Sequence, residues 1–590
     1  MKPLAPLLLA LLLVSSASAS SPVDPADPHL LYTGRWDDSN ASEPWCYWMG
    51  SSIIAHFEGS SLAITCSGGW WSNYDYLRVI IDDDAANSSK IAIGTSMATH
   101  VLATGLGDSS HKVEIIKETD MGYWLVEGFE LDDGKSLLAP PERPSRRIEF
   151  YGDSNLAGYS LEHEENHSGY HLRGTYRGYA GIVSRMLDAE YTNVCRSGDR
   201  IAEIHSVFDQ VDYWSPTPLW DFARFPPDLV VVGLGANDLG RPKVAIKSDY
   251  HDFLDDLRST HPEAHIMLYN GWGWDYNEPA NYTHEVIEER DDPNMSFAIF
   301  PWIFEQWHGC EYDHAGMAQI LADHVSELLG WEQGPRDVMN GYSLGGNVAN
   351  GGFEEVAPFG GYGWRYHAHP GVDRIHDPAG ARDGEYYLRL SSGAATHQPV
   401  PASDGDTFTL EAWVRGSGNI AATQDFRDQK MWTNPLQSST EVFPLTEEWQ
   451  VISMSATAPL GVSFPVYHMR LSFIVGTGDT ADIDLVSTSL ATAAPGKPAS
   501  SLNLAVWPNP FNPLAELRFD LPDDGRMKLE ILDVSGRLIS TLLSGPMARG
   551  SHSCSWKGLD ERGSAMASGL YLARLSFGTQ VESKRLLLIR

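Results

Sequence analysis

Between residue 146 and about residue 330 the sequence alternates brief apolar runs with helical patterns, and this alternation restricts the fold more than any other feature of the chain. Runs at 148–150, 191–194, 229–232 and 266–269 have the character of strands, while 179–187, 250–258 and 315–329 have helical periodicity. Strands alternating with helices predict βαβ units and a mostly parallel sheet in a three-layer α/β domain. In the last helix Met317, Ile320, Leu321 and Leu328 are expected on one face, with Gly330 as the stop. Open sheets of this kind place their sites at the carboxyl ends of the strands. The first run ends at Gly152, where the missing Cβ permits a tight bend, and Ser154 follows two residues later.

The 590 residues are too many for one core, and the pattern changes on both sides of this block. Residues 30–138 read as short β-type runs, at 52–57, 76–81, 112–117 and 123–129, which suit a jelly-roll β-sandwich. A proline-rich linker at 140–144 separates them from the α/β block at 146–330. The β pattern returns at 339–490, with good strands at 408–414 and 469–475. An Ala-, Pro- and Ser-rich linker at 491–501 leads to a last block, 502–590, read as an immunoglobulin-like β-sandwich.

At the N-terminus Lys2, the apolar run 7–14 and Ala17-Ser18-Ala19 form a signal-peptide pattern over 1–19. That run is too short to span a bilayer and no other is longer, so no transmembrane helix is expected. The formal charge of −36 argues against nucleic acid and anionic membranes as partners, because phosphate binding needs clustered Lys and Arg. The five cysteines have no zinc-site spacing. In an oxidising compartment Cys46 with Cys66, and Cys195 with Cys310, are candidate disulfides.

A serine nucleophile needs a base, an orienting group for that base, and donors for the developing oxyanion. The chain can supply these at Ser154, at Gly198 after the second strand, at Asn237 after the most apolar strand, and at His314, expected just before the last helix. Singly, these are a turn serine, a turn glycine, an Asx-turn and a surface histidine; their order at successive strand ends favours catalysis. The order resembles the SGNH (GDSL-type) hydrolases. That resemblance implies Ser154 as nucleophile, His314 as general base, and the Ser154 and Gly198 N–H groups with the Asn237 side chain as oxyanion hole. The acid that orients the base stays open between Glu311, Asp313 and a main-chain carbonyl; Asp313 also suits a helix cap. His308 is the competing base, and His324 is peripheral.

A jelly roll followed directly by such a domain, with Arg147-Ile148-Glu149-Phe150-Tyr151-Gly152-Asp153-Ser154 at the join and Gly309-Cys310-Glu311-Tyr312-Asp313-His314 near the end, resembles carbohydrate esterase family 2 over about 30–330. The family usually has Asp two residues before the histidine, and this chain carries one residue more. The resemblance implies removal of O-acetyl groups from plant polysaccharides such as xylan and glucomannan, with no cofactor for catalysis. Trp272 and Trp274 are candidates for the wall of the substrate cleft, with core packing as the rival role. Residues 339–490 resemble a jelly-roll carbohydrate-binding module, which implies a structural calcium near Glu354 and Asp484.

The last block, through Pro508-Asn509-Pro510-Phe511-Asn512-Pro513 and Ala567-Ser568-Gly569-Leu570-Tyr571, resembles type IX secretion sorting domains and the FlgD-like immunoglobulin domain. This implies the secretion machinery as a partner and an extracellular or cell-surface location. The expectation is a secreted acetyl xylan esterase-like carboxylic ester hydrolase. The alternatives are a catalytically impaired surface glycan-binding protein, or an SGNH esterase or lipase with a different acyl substrate.

Overall fold

The computed structural model describes residues 20–590 except 70–73, 164–166, 272–280, 301–307, 335–347, 356–362, 366–369, 428–433, 461–465, 467, 491–501 and short gaps between 503 and 590. The signal-peptide pattern and the 491–501 linker lie outside the described residues.

The α/β block contains, in chain order, β1 (Arg146–Gly152), α1 (Tyr179–Met186), β2 (Ala189–Cys195), α2 (Ile201–His205), β3 (Leu229–Gly233), α3 (Lys243–Thr260), β4 (His265–Gly271), α4 (Asn281–Arg290), β5 (Met295–Phe300) and α5 (Glu311–Leu329). The five strands form one sheet in the order β2-β1-β3-β4-β5, parallel throughout. Every residue of β3 is buried, as expected of a central strand covered on both faces. Ile148, Phe150, Val231 and Met267 from the sheet meet Ile182 and Val183 of α1 and Leu321 and Val325 of α5 in one core. Leu328 departs from the expected buried face of α5: it is 42% exposed, and Leu329 packs on the core in its place. Gly330 closes the helix in the left-handed conformation.

The preceding domain is a sandwich of a six-stranded and a five-stranded antiparallel sheet around Trp36, Trp124, Phe57 and Ile115. All five cysteines are free thiols, so neither expected disulfide is present. Strand order explains the first failure. Tyr123–Asp132 lies between the strands of Cys46 and Cys66, pairing Trp124 with Cys46 and Val126 with Cys66. Two strand spacings are about 9–10 Å, beyond the roughly 7 Å that a disulfide can bridge between Cα atoms. In the second pair, Cys195 ends strand β2, whereas the Cys310 sulfur caps α5 and accepts Arg365 Nη1 at 3.0 Å.

Buried charge joins this sandwich to the α/β domain. Arg35 Nη2 meets Glu149 Oε1 of β1 at 2.6 Å, and Glu118 accepts the N–H groups of Thr175 (2.6 Å) and Tyr176 (3.0 Å). Breaking one side of such a buried pair strands the other charge in the interior.

Downstream, Ala395–Pro401, His468–Val475, Asn419–Arg427 and Gln437–Pro444 form an antiparallel sheet in that order. Val372–His376, Tyr386–Ser391 and Thr480–Leu490 also pair antiparallel. The C-terminal region, described by itself, has a three-stranded and a four-stranded sheet around Trp556, Leu529 and Leu575. No described helix is long and apolar enough to cross a membrane.

Candidate active site

Ser154 stands in the turn after β1, only 6% exposed. A Cβ at Gly152 would come within 2.5 Å of Leu156 Cβ, so the turn folds back too closely for any larger residue. Asp153 anchors the turn from beneath. Its Oδ1 accepts Asn155 N–H (2.9 Å) and Asn155 Nδ2 (3.1 Å), and its carbonyl accepts Ala157 N–H (2.9 Å). Burial pushes the Asp153 carboxyl up to about 6.

The next two blocks converge on that turn. Asn237 lies in the single helical turn 236–238 after β3, and its Nδ2 donates to Asp199 O at 2.8 Å and to Asp153 Oδ2 at 3.3 Å. One side-chain amide therefore joins the residue before Ser154 to the residue after Gly198. Gly198 is in the left-handed region (φ +92°), and no atom lies within 4 Å of the Cβ position it leaves empty. The turn is also held from outside, where Asp120 Oδ2 of the sandwich accepts Ser197 N–H at 2.9 Å.

The histidine block departs from expectation. Helix α5 begins at Glu311, so His314 lies inside its first turn and not before it. Cys310 is the N-cap: its sulfur accepts the N3 N–H, and Asp313 Oδ2 accepts the Cys310 N–H at 2.8 Å. The helix directs the His314 ring against α1, where Nδ1 accepts Tyr179 N–H at 3.2 Å and Nε2 faces His308 O at 3.1 Å. Nδ1 is thus an acceptor with no proton to offer a carboxylate. Neither Glu311 nor Asp313 orients the ring through that nitrogen. Glu311 pairs with Arg177 (3.5 Å), and Asp313 caps the helix and pairs with Arg365 (2.5 Å). Among the described residues no hydrogen bond joins Ser154 Oγ to either histidine.

His314 is buried, and burial pulls its imidazole down to about 4. His308, half-buried, packs its ring 4.3 Å from that of Tyr159, whose N–H bonds Ser154 O at 3.0 Å. Burial, with repulsion from Arg173 and from His314 whenever that ring is protonated, pulls it to about 4 as well. Trp272 and Trp274 lie outside the described residues.

Comparison with known proteins bears on this assembly directly. Residues 32–141 match the carbohydrate esterase 2 N-terminal domain, and residues 150–297 match the GDSL-like lipase/acylhydrolase family. The two matches follow one another along the chain, a carbohydrate esterase 2 N-terminal domain and then a GDSL-like domain. Residues 514–580 match the FlgD Ig-like domain. Among similar proteins, the cellulase/esterase CelE of Acetivibrio thermocellus is 28% identical over 342 residues, 53% of this chain and 41% of that protein. The chain thus spans about two fifths of CelE. An acetylxylan esterase / glucomannan deacetylase of Cellvibrio japonicus is 24% identical over 54% of this chain and 94% of its own length. The solved structure of a family two carbohydrate esterase from Cellvibrio japonicus superposes with a TM-score of 0.50 at 21% identity, covering 53% of this chain and 99% of that one, a likeness of fold.

Sequence reading missed two groups that hold the site. Asp120 belongs to the sandwich, and Arg365 lies beyond both matched domains. Only burial and hydrogen bonding reveal them, because each acts on a partner far away in sequence.

Proposed function

We propose that this chain is a serine esterase that removes O-acetyl groups from plant cell-wall polysaccharide such as xylan or glucomannan. The observation that carries the reading is the Asn237 amide, which draws the turns of Ser154 and Gly198 to one sheet edge. Ser154 Oγ attacks the acetyl carbonyl, and a neutral histidine takes its proton. The N–H groups of Ser154 and Gly198 stabilise the oxyanion, joined by Asn237 Nδ2 once it gives up its longer, 3.3 Å bond to Asp153. The protonated histidine then returns its proton to the departing sugar hydroxyl. Water attacks the acyl-enzyme and releases acetate.

His314 is the proposed base, acting once its ring leaves Tyr179 N–H and the His308 carbonyl and its proton moves from Nε2 to Nδ1, which frees the Nε2 lone pair for Ser154. One observation favours a second assignment: His308 is more exposed and lies on Tyr159, while both His314 nitrogens face main-chain groups. Acetate release from acetylated xylan and glucomannan, by wild type beside Ser154→Ala, His314→Gln and His308→Gln, tests the reading and chooses the base. Ser154→Ala should lose activity by roughly three or more orders of magnitude. Near-normal turnover in that variant would overturn the mechanism. No release by wild type, with polysaccharide binding intact, would favour a glycan-binding protein.

Two further roles belong to the same reading. The C-terminal domain directs export to the cell surface, and normal export of a chain lacking 502–590 would contradict this. A structural calcium sits near Glu354 and Asp484. In support, Glu354 Cγ and Asp484 Oδ1 lie 3.8 and 4.0 Å from the position a Cβ would take at Gly352, so the two side chains approach the same glycine. Against it, Asp484 Oδ2 accepts the N–H groups of Arg382 and Asp383, and Glu354 Oε1 those of Glu385 and Tyr386. Among the described residues no third His, Cys, Asp or Glu joins them, so main-chain carbonyls and water would supply the remaining oxygens.

A further inference from the structure

Arg365 lies beyond the esterase domain pair, in the β-rich segment that follows, yet its guanidinium ends at the first turn of α5. Nη2 donates to Asp313 Oδ1 at 2.5 Å and Nη1 to Cys310 Sγ at 3.0 Å. Both side chains of the ion pair are buried, at 2% and 0% exposure. The arginine is itself rigidly held. Its N–H donates to His397 O (2.9 Å), its carbonyl accepts Thr396 Oγ1 (2.7 Å), and the preceding Trp364 Nε1 donates to Asn350 O (3.2 Å). His397 and Thr396 belong to Ala395–Pro401, a strand paired along its whole length with His468–Val475.

We propose that Arg365 is a positioning residue of the esterase site, and that the β-rich segment carrying it is a working part of that site and not a detachable binding module. Two acceptors, the Asp313 carboxylate and the Cys310 sulfur, cap α5, and one planar guanidinium fork holds both; a lysine ammonium would reach them only in turn. The fork fixes where the helix begins. The helix start in turn fixes the His314 ring and, through the His314 Nε2 contact, the His308 carbonyl.

Arg365 also balances charge. Asp313 precedes His314, and its negative charge favours imidazolium. Among the described residues, the groups near His314 include Asp313 and Glu311 on its own helix, His308 in the preceding loop, Tyr179 on α1, and Arg177 before α1, paired with Glu311. Of these charges, only that of Asp313 is matched by Arg365.

The test uses the full chain with Arg365→Gln, Arg365→Lys, Asp313→Asn and the double variant Arg365→Gln/Asp313→Asn. The double variant leaves no uncompensated buried charge, so it keeps the experiment readable should Arg365→Gln fail to fold. Two quantities are read. One is kcat and KM for acetate release well below the unfolding transition. The other is the titration of His314, labelled at Cε1 and assigned by its absence in His314→Gln.

For Arg365→Gln, kcat should fall about 10- to 100-fold with KM little changed, and the His314 pKa should rise. The double variant should return the pKa towards wild type, and Arg365→Lys should recover part of kcat. Unchanged kcat per folded molecule, or a His314 titration unmoved by Arg365→Gln, would overturn the proposal even if thermal stability fell. The kinetic arm rests on the esterase reading. If wild type releases no acetate, that reading fails by itself, and the histidine titration still decides the role of Arg365.

Discussion

Asp120 Oδ2 accepts the main-chain N–H of Ser197 at 2.9 Å, so a loop of the N-terminal sandwich holds the turn that carries Gly198. The other oxygen of the same carboxylate pairs with Arg173, whose guanidinium lies over the rings of Tyr159 (4.5 Å) and Tyr170 (4.3 Å). Despite burial, Arg173 and the Ser197 bonds hold the Asp120 carboxyl below its ordinary range. Asp120→Ala should therefore act twice. It leaves Arg173 buried without its partner, costing about 3–5 kcal/mol, and it frees the Ser197–Gly198 turn. Thermal unfolding reads the first effect. The second appears as a lower kcat, which Asp120→Asn should partly restore.

Asn237→Ala should lower kcat for acetate release by about 10²–10³-fold, the usual effect of removing one oxyanion donor, with KM little changed. The amide also ties Asp199 O to Asp153, so a modest loss of thermal stability should accompany it. A rise in KM at constant kcat would show that Asn237 binds the ground state and not the transition state.

Stability should fall on mild acidification. His314 and His308 are pulled by burial to about 4 in the folded chain, below the ordinary value of 6.5. A depressed folded pKa contributes stability that is complete above 6.5 and is lost as pH falls through 4. Asp153 and Asp199, pushed up to about 6 by burial, act in the opposite sense. Their contribution is complete below 3.8 and disappears as pH rises through 6, so they partly offset the histidines. Thermal midpoints measured from pH 7 to 4 should decline, and His314→Gln should flatten the decline. An equally steep decline in His314→Gln would assign the acid lability elsewhere.

Chelation should lower the thermal midpoint if Glu354 and Asp484 hold calcium, and added calcium should restore it. The same treatment should leave Glu354→Gln/Asp484→Asn unchanged. A midpoint in wild type that is indifferent to chelator would remove the calcium from this part of the chain.

The placement of Ser154, Gly198 and Asn237 was legible because a parallel sheet buries apolar runs whose carboxyl ends are marked by Gly, Asp and Asn. The environment of His314 was not. The helix starts before it because Cys310, not one of the usual capping residues, caps α5 together with Asp313. Those added residues turn the ring from the sheet edge towards α1. Strand β5 was missed because six residues after a polar stretch carry little periodic signal. Strand order cannot be read from spacing, so nothing local warned that Tyr123–Asp132 would separate Cys46 from Cys66. Arg365 was invisible for the same reason, since its partner Asp313 is 52 residues away.

The five free thiols have a practical consequence. Burial pushes the Cys66 thiol up to about 12 and those of Cys46 and Cys195 above their ordinary value. These sulfurs are therefore poor nucleophiles towards alkylating agents and oxidants. Cys554 alone among the five is not fully buried, so maleimide chemistry on the folded chain should reach the C-terminal domain first. No cross-link has to form for the chain to mature. Production in a reducing cytoplasm, or refolding in the presence of dithiothreitol, should yield the same molecule.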